Sequence, residues 1–183
     1  MSEELYLVRH GQTHFNRACD NKGWKRQFGV IPRKLSFDFN PLTHPWMLNL
    51  TGEGRRQAKK AAKALEGILE QAFMASSPEA RAVQTAAYFA KTEETYFCKK
   101  LREQFWDYGR NRPNESEERA KNRFAQGIED VLEHAKNKTP IIVAHSRVIK
   151  FYTGKYLENG EVLRIQYATG GPKILEHLKP SEL

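Results

Sequence analysis

Cysteine is scarce in this chain of 183 residues, which carries only Cys19 and Cys98. Two cysteines cannot make a disulfide framework, and this pair lacks metal-ligand spacing, so cysteine chemistry is not expected to carry the function. Cys98 sits in the apolar run 95–98 and is expected to be a small core residue. Long hydrophobic runs are missing too. No stretch is long and apolar enough to form a membrane-spanning helix. The first residues, Met1-Ser2-Glu3-Glu4, lack the basic start and extended apolar stretch of a secretory signal, so a cytosolic protein is the expectation. There is no internal repeat, low-complexity tract or linker, and residues 1–183 are expected to form one domain.

Charge is present in excess, and it is localised. The formal net charge is +8. Between Arg17 and Lys63 eleven Lys or Arg face three acids (Asp20, Asp38 and Glu53), so 11 − 3 accounts for the whole excess. A local positive field favours anionic ligands such as phosphates, phosphoproteins or nucleic acid. A solvated basic face would give the same count.

The pattern of elements alternates. Residues 4–9 read as a first strand ending at a Gly-containing turn. Residues 17–49 have no clean period and contain Pro32, Pro41 and Pro45, yet they carry Trp24, Phe28, Phe37, Phe39 and Trp46. That is too aromatic for ordinary disorder, and the segment reads as a long basic excursion covering a site. A helix is predicted over 51–70 with Thr51 as its cap, then a short strand at 72–75, and a helix starting after Pro78. A strand at 95–98 precedes a helix that Asn114 and Glu117 would open as a capping box and that ends near 134. Residues 140–144 form the most apolar strand, followed by a helix over 148–156 and strands at 162–167 and 173–176. Strands alternating with helices predict a three-layer α/β/α sandwich with a largely parallel central sheet.

In such folds ligands bind beyond the C-terminal ends of the strands. His10 and His145 both sit at predicted strand ends, Arg9 precedes the first, and Arg81 opens the helix after strand 72–75. Two histidines and two arginines suit an oxyanion. A neutral imidazole can attack phosphorus near neutral pH, and a transferring phosphoryl group needs preorganised cations around its equatorial oxygens. Arginine provides a planar fork and a permanent charge. Gly11 would let the backbone turn sharply and approach the phosphate. His10 and His14 have metal-like spacing, but Gly11 argues against a helix presenting both to one ion.

The run Leu7-Val8-Arg9-His10-Gly11-Gln12-Thr13-His14-Phe15-Asn16 resembles the Arg-His-Gly motif of the histidine phosphatase superfamily, which has the phosphoglycerate-mutase-like fold. Three further blocks resemble that family in the same order. They are the helix start Leu50-Thr51-Gly52-Glu53-Gly54-Arg55-Arg56-Gln57-Ala58, the second-arginine block Ser76–Ala86, and Val143-Ala144-His145. The resemblance implies that His10 is a nucleophile that becomes phosphohistidine. It implies that Arg9, Arg81 and His145 bind the phosphoryl oxygens, that Gly11, Thr13 and Asn16 line the phosphate pocket, and that no metal or organic cofactor takes part.

Two departures from the family pattern stand out. The family's general acid is a Glu four residues before a Gly, whereas Glu103 lies six before Gly109, and aligning Asp107-Tyr108-Gly109 instead puts Phe105 at the acid's place. Glu103 is the first choice for general acid and Asp107 the second. After His145, where many relatives have glycines, this chain has Ser146-Arg147.

The expectation is thus a metal-independent phosphatase acting on a phosphomonoester or phosphoamidate, small molecule or phosphoprotein, with no membrane partner. A phosphomutase would share every catalytic residue. A silent phospholigand-binding module, or a nucleic-acid binder using the basic 17–63 segment, are the readings from other classes.

Overall fold

A computed structural model describes residues 3–21, 48–90, 94–104, 106–107, 112–168 and 171–179. Most of the basic, aromatic excursion, including Trp24, Phe28, Phe37, Phe39 and Trp46, lies outside the described residues.

Strand β1 (Glu3–Arg9) is followed by helix α1 (His14–Asn21), then α2 (Gly52–Ala64), β2 (Ala72–Ser76) and α3 (Ala80–Ala86). Next come the short strands β3 (Tyr96–Phe97), β4 (Trp106–Asp107) and β5 (Arg112–Pro113), helix α4 (Glu117–Ala135) and β6 (Thr139–Ala144). Helix α5 (Ser146–Thr153) and strands β7 (Val162–Tyr167) and β8 (Lys173–Leu178) complete the order. Six strands form one sheet in the order β3-β2-β6-β1-β7-β8, while β4 and β5 make a separate hairpin. Pairings β3·β2, β2·β6 and β6·β1 are parallel; β7 runs antiparallel to both β1 and β8.

The central strands are apolar at successive positions because both of their faces are covered. Leu5, Leu7, Ile142 and Ala144 point to one side, where Phe124, Ile128 and Val131 of α4 and Val148 and Ile149 of α5 pack on them. The alternate residues Tyr6, Val8, Ile141 and Val143 face Ala61 and Ala62 of α2 and Ala82 and Ala86 of α3. Cys98 is buried in the first of these two cores, as expected of a small apolar residue. The layered α/β sandwich read from the sequence is the observed one.

Several boundaries differ from expectation. The helix predicted over 51–70 is α-helical only to Ala64 and continues as a 3₁₀ turn over Glu66–Gln71, where Gly67 weakens the α form. The capping box at Asn114 is not formed. Ser116 caps α4 instead, its Oγ accepting from Arg119 N at 3.2 Å, because the cap must stand one residue before the first turn. Helix α5 starts two residues earlier than predicted and stops at Thr153, where Gly154 takes a left-handed conformation (φ 74°) and its N–H returns to Lys150 O. Residues 17–21, assigned to the excursion, belong to α1.

Candidate active site

The register of the sheet assembles the site. Parallel pairing sets Arg9 opposite Ala144 and Val8 opposite Val143, so His10 and His145 leave adjacent strands at the same edge. His10 N donates to Ala144 O at 3.1 Å, and Ser77, just past β2, donates its N–H to Val143 O at 2.9 Å. The two imidazole rings meet edge to face with centroids 5.2 Å apart. His10 is 4% exposed and His145 is fully buried.

Arg81 enters from α3 and links the two rings. Its Nε lies 3.2 Å from His10 Nε2 and 3.2 Å from His145 Nδ1. His10 Nδ1 is 2.8 Å from Gly11 O, which fixes a proton on Nδ1 and leaves Nε2 as the lone-pair nitrogen facing Arg81. Burial lowers the pKa of His10 well below the usual value, and the charges of Arg81, His145 and Arg9 lower it further, against a smaller opposing effect of the Gly11 hydrogen bond. The neutral form of the ring is thereby favoured, with its Nε2 lone pair facing Arg81.

Arg9 is buried beside the histidines and carries its charge toward His10, but its observed hydrogen bonds run the other way. Nη1 donates to Leu157 O at 2.6 Å and to Tyr156 Oη at 3.2 Å, and Glu158 is 3.7 Å away. Its buried Nε has no acceptor among the described residues. An unsatisfied guanidinium donor beside a neutral histidine suits an anionic oxygen.

A close backbone approach requires Gly11. A Cβ there would stand 2.2 Å from Gly54 O, and one on Gly54 would stand 2.0 Å from Gln12 O, so the turn after β1 lies directly against the first turn of α2. The Gly11 N–H is already donated to Thr85 Oγ1 at 3.0 Å. Thr51 caps α2 as expected, its Oγ1 accepting from Gly54 N at 2.9 Å, and Gln12 O accepts from Thr51 N at 2.9 Å. Thr13 and Asn16 bond chiefly to each other: Asn16 Oδ1 accepts from Thr13 N at 3.1 Å and from Thr13 Oγ1 at 2.9 Å. That reciprocal pair opens α1 and holds the loop shape. His14 begins α1.

Glu103 is half-buried, with Oε1 accepting from Gln104 N at 3.0 Å and Oε2 at 3.5 Å from the backbone N of Arg147. The structure thus brings Glu103 to the N-terminus of α5, next to His145. The side chain of Asp107 lies outside those described, as do residues Phe105 and Gly109. Arg147 does not simply face solvent: it is half-buried and its Nη1 reaches Gln104 Oε1 at 3.3 Å.

Two site residues were not singled out from the sequence. Asn159 Nδ2 donates to His10 O at 3.0 Å from the loop before β7, a contact no local pattern announces. Glu79 is the other. Its Oε2 lies 2.5 Å from Arg81 Nη2 and 2.9 Å from His145 Nε2. Its place in the Ser76–Ala86 block, two residues before Arg81, was the available signal. Burial acts to raise the Glu79 pKa, but the charge and hydrogen bond of His145, the charge of Arg81 and the backbone N–H of Glu103 overcome it and hold the carboxyl at about 2. Because this folded-state value lies below the ordinary 4.5, the stabilisation is full above about pH 4.5 and is lost as pH falls toward 2. The shift corresponds to about 3 kcal/mol. Denaturant titrations at stepped pH should therefore show a steep loss of stability between pH 4.5 and 2 that is shallower in Glu79→Gln.

Known proteins resemble this chain. The family model described as the histidine phosphatase superfamily (branch 1) matches residues 47–110. No curated protein matches the chain. Among solved structures, a mutant phosphoserine phosphatase from Entamoeba histolytica in complex with phosphoserine is 19% identical, with a TM-score of 0.71 over 99% of this chain and 99% of that one. YhfR of Bacillus stearothermophilus is 20% identical, with a TM-score of 0.66 over 94% of this chain and 95% of that chain. A mycobacterial glucosyl-3-phosphoglycerate phosphatase in complexes with VO3 is 16% identical, with a TM-score of 0.64 over 94% of this chain and 96% of that chain. The chain shares the fold of these phosphatases, and the resemblance read from its motifs holds.

Proposed function

We propose that the protein hydrolyses a phosphomonoester or phosphoamidate through a phosphohistidine on His10, without a metal ion. The observation that carries this reading is the shared Arg81 Nε, 3.2 Å from a His10 Nε2 whose tautomer is fixed by Gly11 O and 3.2 Å from His145 Nδ1. That arrangement surrounds one nucleophilic nitrogen with donors for equatorial phosphoryl oxygens.

In the first step the lone pair of His10 Nε2 forms the N–P bond as the bond from phosphorus to the leaving group breaks. Arg81, His145 and the unsatisfied Nε of Arg9 take the charge on the phosphoryl oxygens. Glu103, entering as the carboxylic acid, gives its proton to the leaving oxygen or nitrogen. In the second step the Glu103 carboxylate takes a proton from water, whose oxygen attacks phosphorus, and inorganic phosphate leaves as His10 Nε2 regains its lone pair. Glu103 is favoured over Asp107 because its carboxylate is tied to the N-terminus of the helix that follows His145. A phosphorylated small molecule is the favoured substrate class: the phosphatase of the same fold from Entamoeba histolytica holds phosphoserine.

The test is hydrolysis of a generic aryl phosphate in excess chelator across pH. Turnover that resists the chelator is expected. Because the His10 pKa is lowered, the nucleophile stays neutral well below pH 6.5, so the rate should hold through pH 6 instead of halving at 6.5. Binding of phosphate without turnover would mark a phospholigand-binding protein, and turnover that the chelator abolishes would contradict the metal-free mechanism.

A further inference from the structure

A carboxylate beside a phosphoryl site is at first sight out of place, since it repels the substrate's charge. Glu79 nevertheless sits there ionised, and its contacts are specific. One oxygen, Oε2, is shared between Arg81 Nη2 and His145 Nε2. His145 Nε2 is also 2.9 Å from Ser77 Oγ, so its single proton lies between a hydroxyl and a carboxylate. The opposite ring nitrogen, Nδ1, is the one that shares Arg81 Nε with the nucleophile and faces the reaction.

Apart from Glu79 and Glu103, the groups around His145 bring burial and positive charge. The ring is fully buried. Arg81 touches Nδ1, His10 packs edge-on, and Arg9 adds charge behind His10. His145 stands at the N-terminal cap position of α5, where the helix end is partially positive, and Arg147 follows on the same helix. Glu103, bound to the Arg147 N–H, lies on the side of Glu79 and donates its own backbone N–H to that carboxylate. Glu79 is the anionic group in hydrogen-bond contact with the ring among the described residues.

From this geometry we infer that Glu79 is a positioning residue: its carboxylate fixes a proton on His145 Nε2 and supports the imidazolium, so that His145 presents Nδ1–H to the phosphoryl oxygens. In the structure Nδ1 accepts from Arg81 Nε, which leaves the ring proton on Nε2 between Ser77 Oγ and Glu79 Oε2. When the phosphoryl dianion arrives, Arg81 Nε turns to the anion, Nδ1 takes a proton from solvent water and becomes a donor, and the positive charge is balanced through Nε2–H by Glu79. The carboxylate then contributes through the proton it holds on His145, which offsets its repulsion of the substrate. The same oxygen orients Arg81, so the histidine donor and the arginine fork are set by one group.

This inference rests on the proposed phosphoryl site, and the two can be tested apart. Histidine ring nitrogens of wild type, Glu79→Gln and Ser77→Ala are followed by NMR across pH, with and without saturating inorganic phosphate. In the wild type the His145 Nε2 signal should be that of a protonated nitrogen throughout. The His145 midpoint with phosphate should fall by at least one pH unit in Glu79→Gln and change little in Ser77→Ala. Under turnover the alkaline limb of kcat in Glu79→Gln should move to lower pH by the same amount, with rates approaching wild type below both midpoints. A role confined to holding Arg81 would raise KM and leave the limb in place. An unchanged His145 midpoint in Glu79→Gln, or a larger shift in Ser77→Ala, would overturn the inference. So would an unprotonated Nε2 in the wild type, which reads the inference even if the variant fails to fold. Absence of any phosphate effect on either histidine would instead count against the phosphoryl site, while the midpoints of the free protein still report on the pair.

Discussion

Replacing His10 with alanine should reduce aryl-phosphate hydrolysis at least about a thousandfold while the protein stays folded. The asymmetry follows from what the ring touches. Among the described residues its Nδ1 bonds only to the carbonyl of the next residue, Gly11, whereas the bonds that seat the strand end use the backbone: His10 N to Ala144 O and Asn159 Nδ2 to His10 O. An alanine keeps both backbone bonds. What disappears is Nε2, whose lone pair faces Arg81 beside His145 Nδ1. Arginine and His145 would still bind phosphate, so the variant should retain substrate affinity with turnover lost. Circular dichroism and phosphate-binding titrations check the first part, and steady-state rates check the second. A variant that keeps more than a tenth of the wild-type rate would remove His10 from the mechanism.

Gly54→Ala should destabilise the fold by about 3 kcal/mol or more and abolish activity at temperatures where wild type is stable. The added Cβ would meet Gln12 O at 2.0 Å and Gln12 N at 2.8 Å, all backbone, so no side chain can swing aside. Relief requires α2 to move off the turn that follows β1. That separation would break the Thr51 N–H bond to Gln12 O and the Gln12 N–H bond to Gln57 Oε1, both 2.9 Å. Gly11→Ala makes the reciprocal clash with Gly54 O at 2.2 Å and should behave alike. Gly52→Ala is the control, because nothing lies within 4 Å of its Cβ and the site is exposed, so stability should change by only a few tenths of a kcal/mol or improve. Denaturant melts of the three variants give the ranking.

The legible part of the site was the part written in strand ends. His10 and His145 follow apolar runs that could only be buried strands, and parallel register then places them side by side. Arg81 was readable because Pro78 marks a helix start just past a strand, although the α-helix itself begins at Ala80. Glu79 escaped notice for the opposite reason. A lone acid at a helix start is ordinary N-terminal electrostatics, and only the tertiary approach of His145 Nε2 gives it a second role. Asn159 sits in a loop whose contact with His10 O spans most of the chain, with no periodicity to reveal it. Gly11 was read as a turn residue near phosphate, and its close approach to Gly54 depends on how α2 docks, which no local pattern reveals. The failed capping box at Asn114 shows the same limit. Spacing pointed to a cap at Asn114, whereas Ser116 caps α4.

The most direct measurement is to mix the enzyme with excess aryl phosphate in chelator, quench within the first turnover into alkali, where phosphohistidine survives, and map phosphate onto peptides by mass. The mechanism predicts phosphate on the peptide containing His10, formed as fast as the leaving group is released, and absent from His10→Ala. Turnover without any phosphoenzyme, or phosphate carried on another residue, would contradict it.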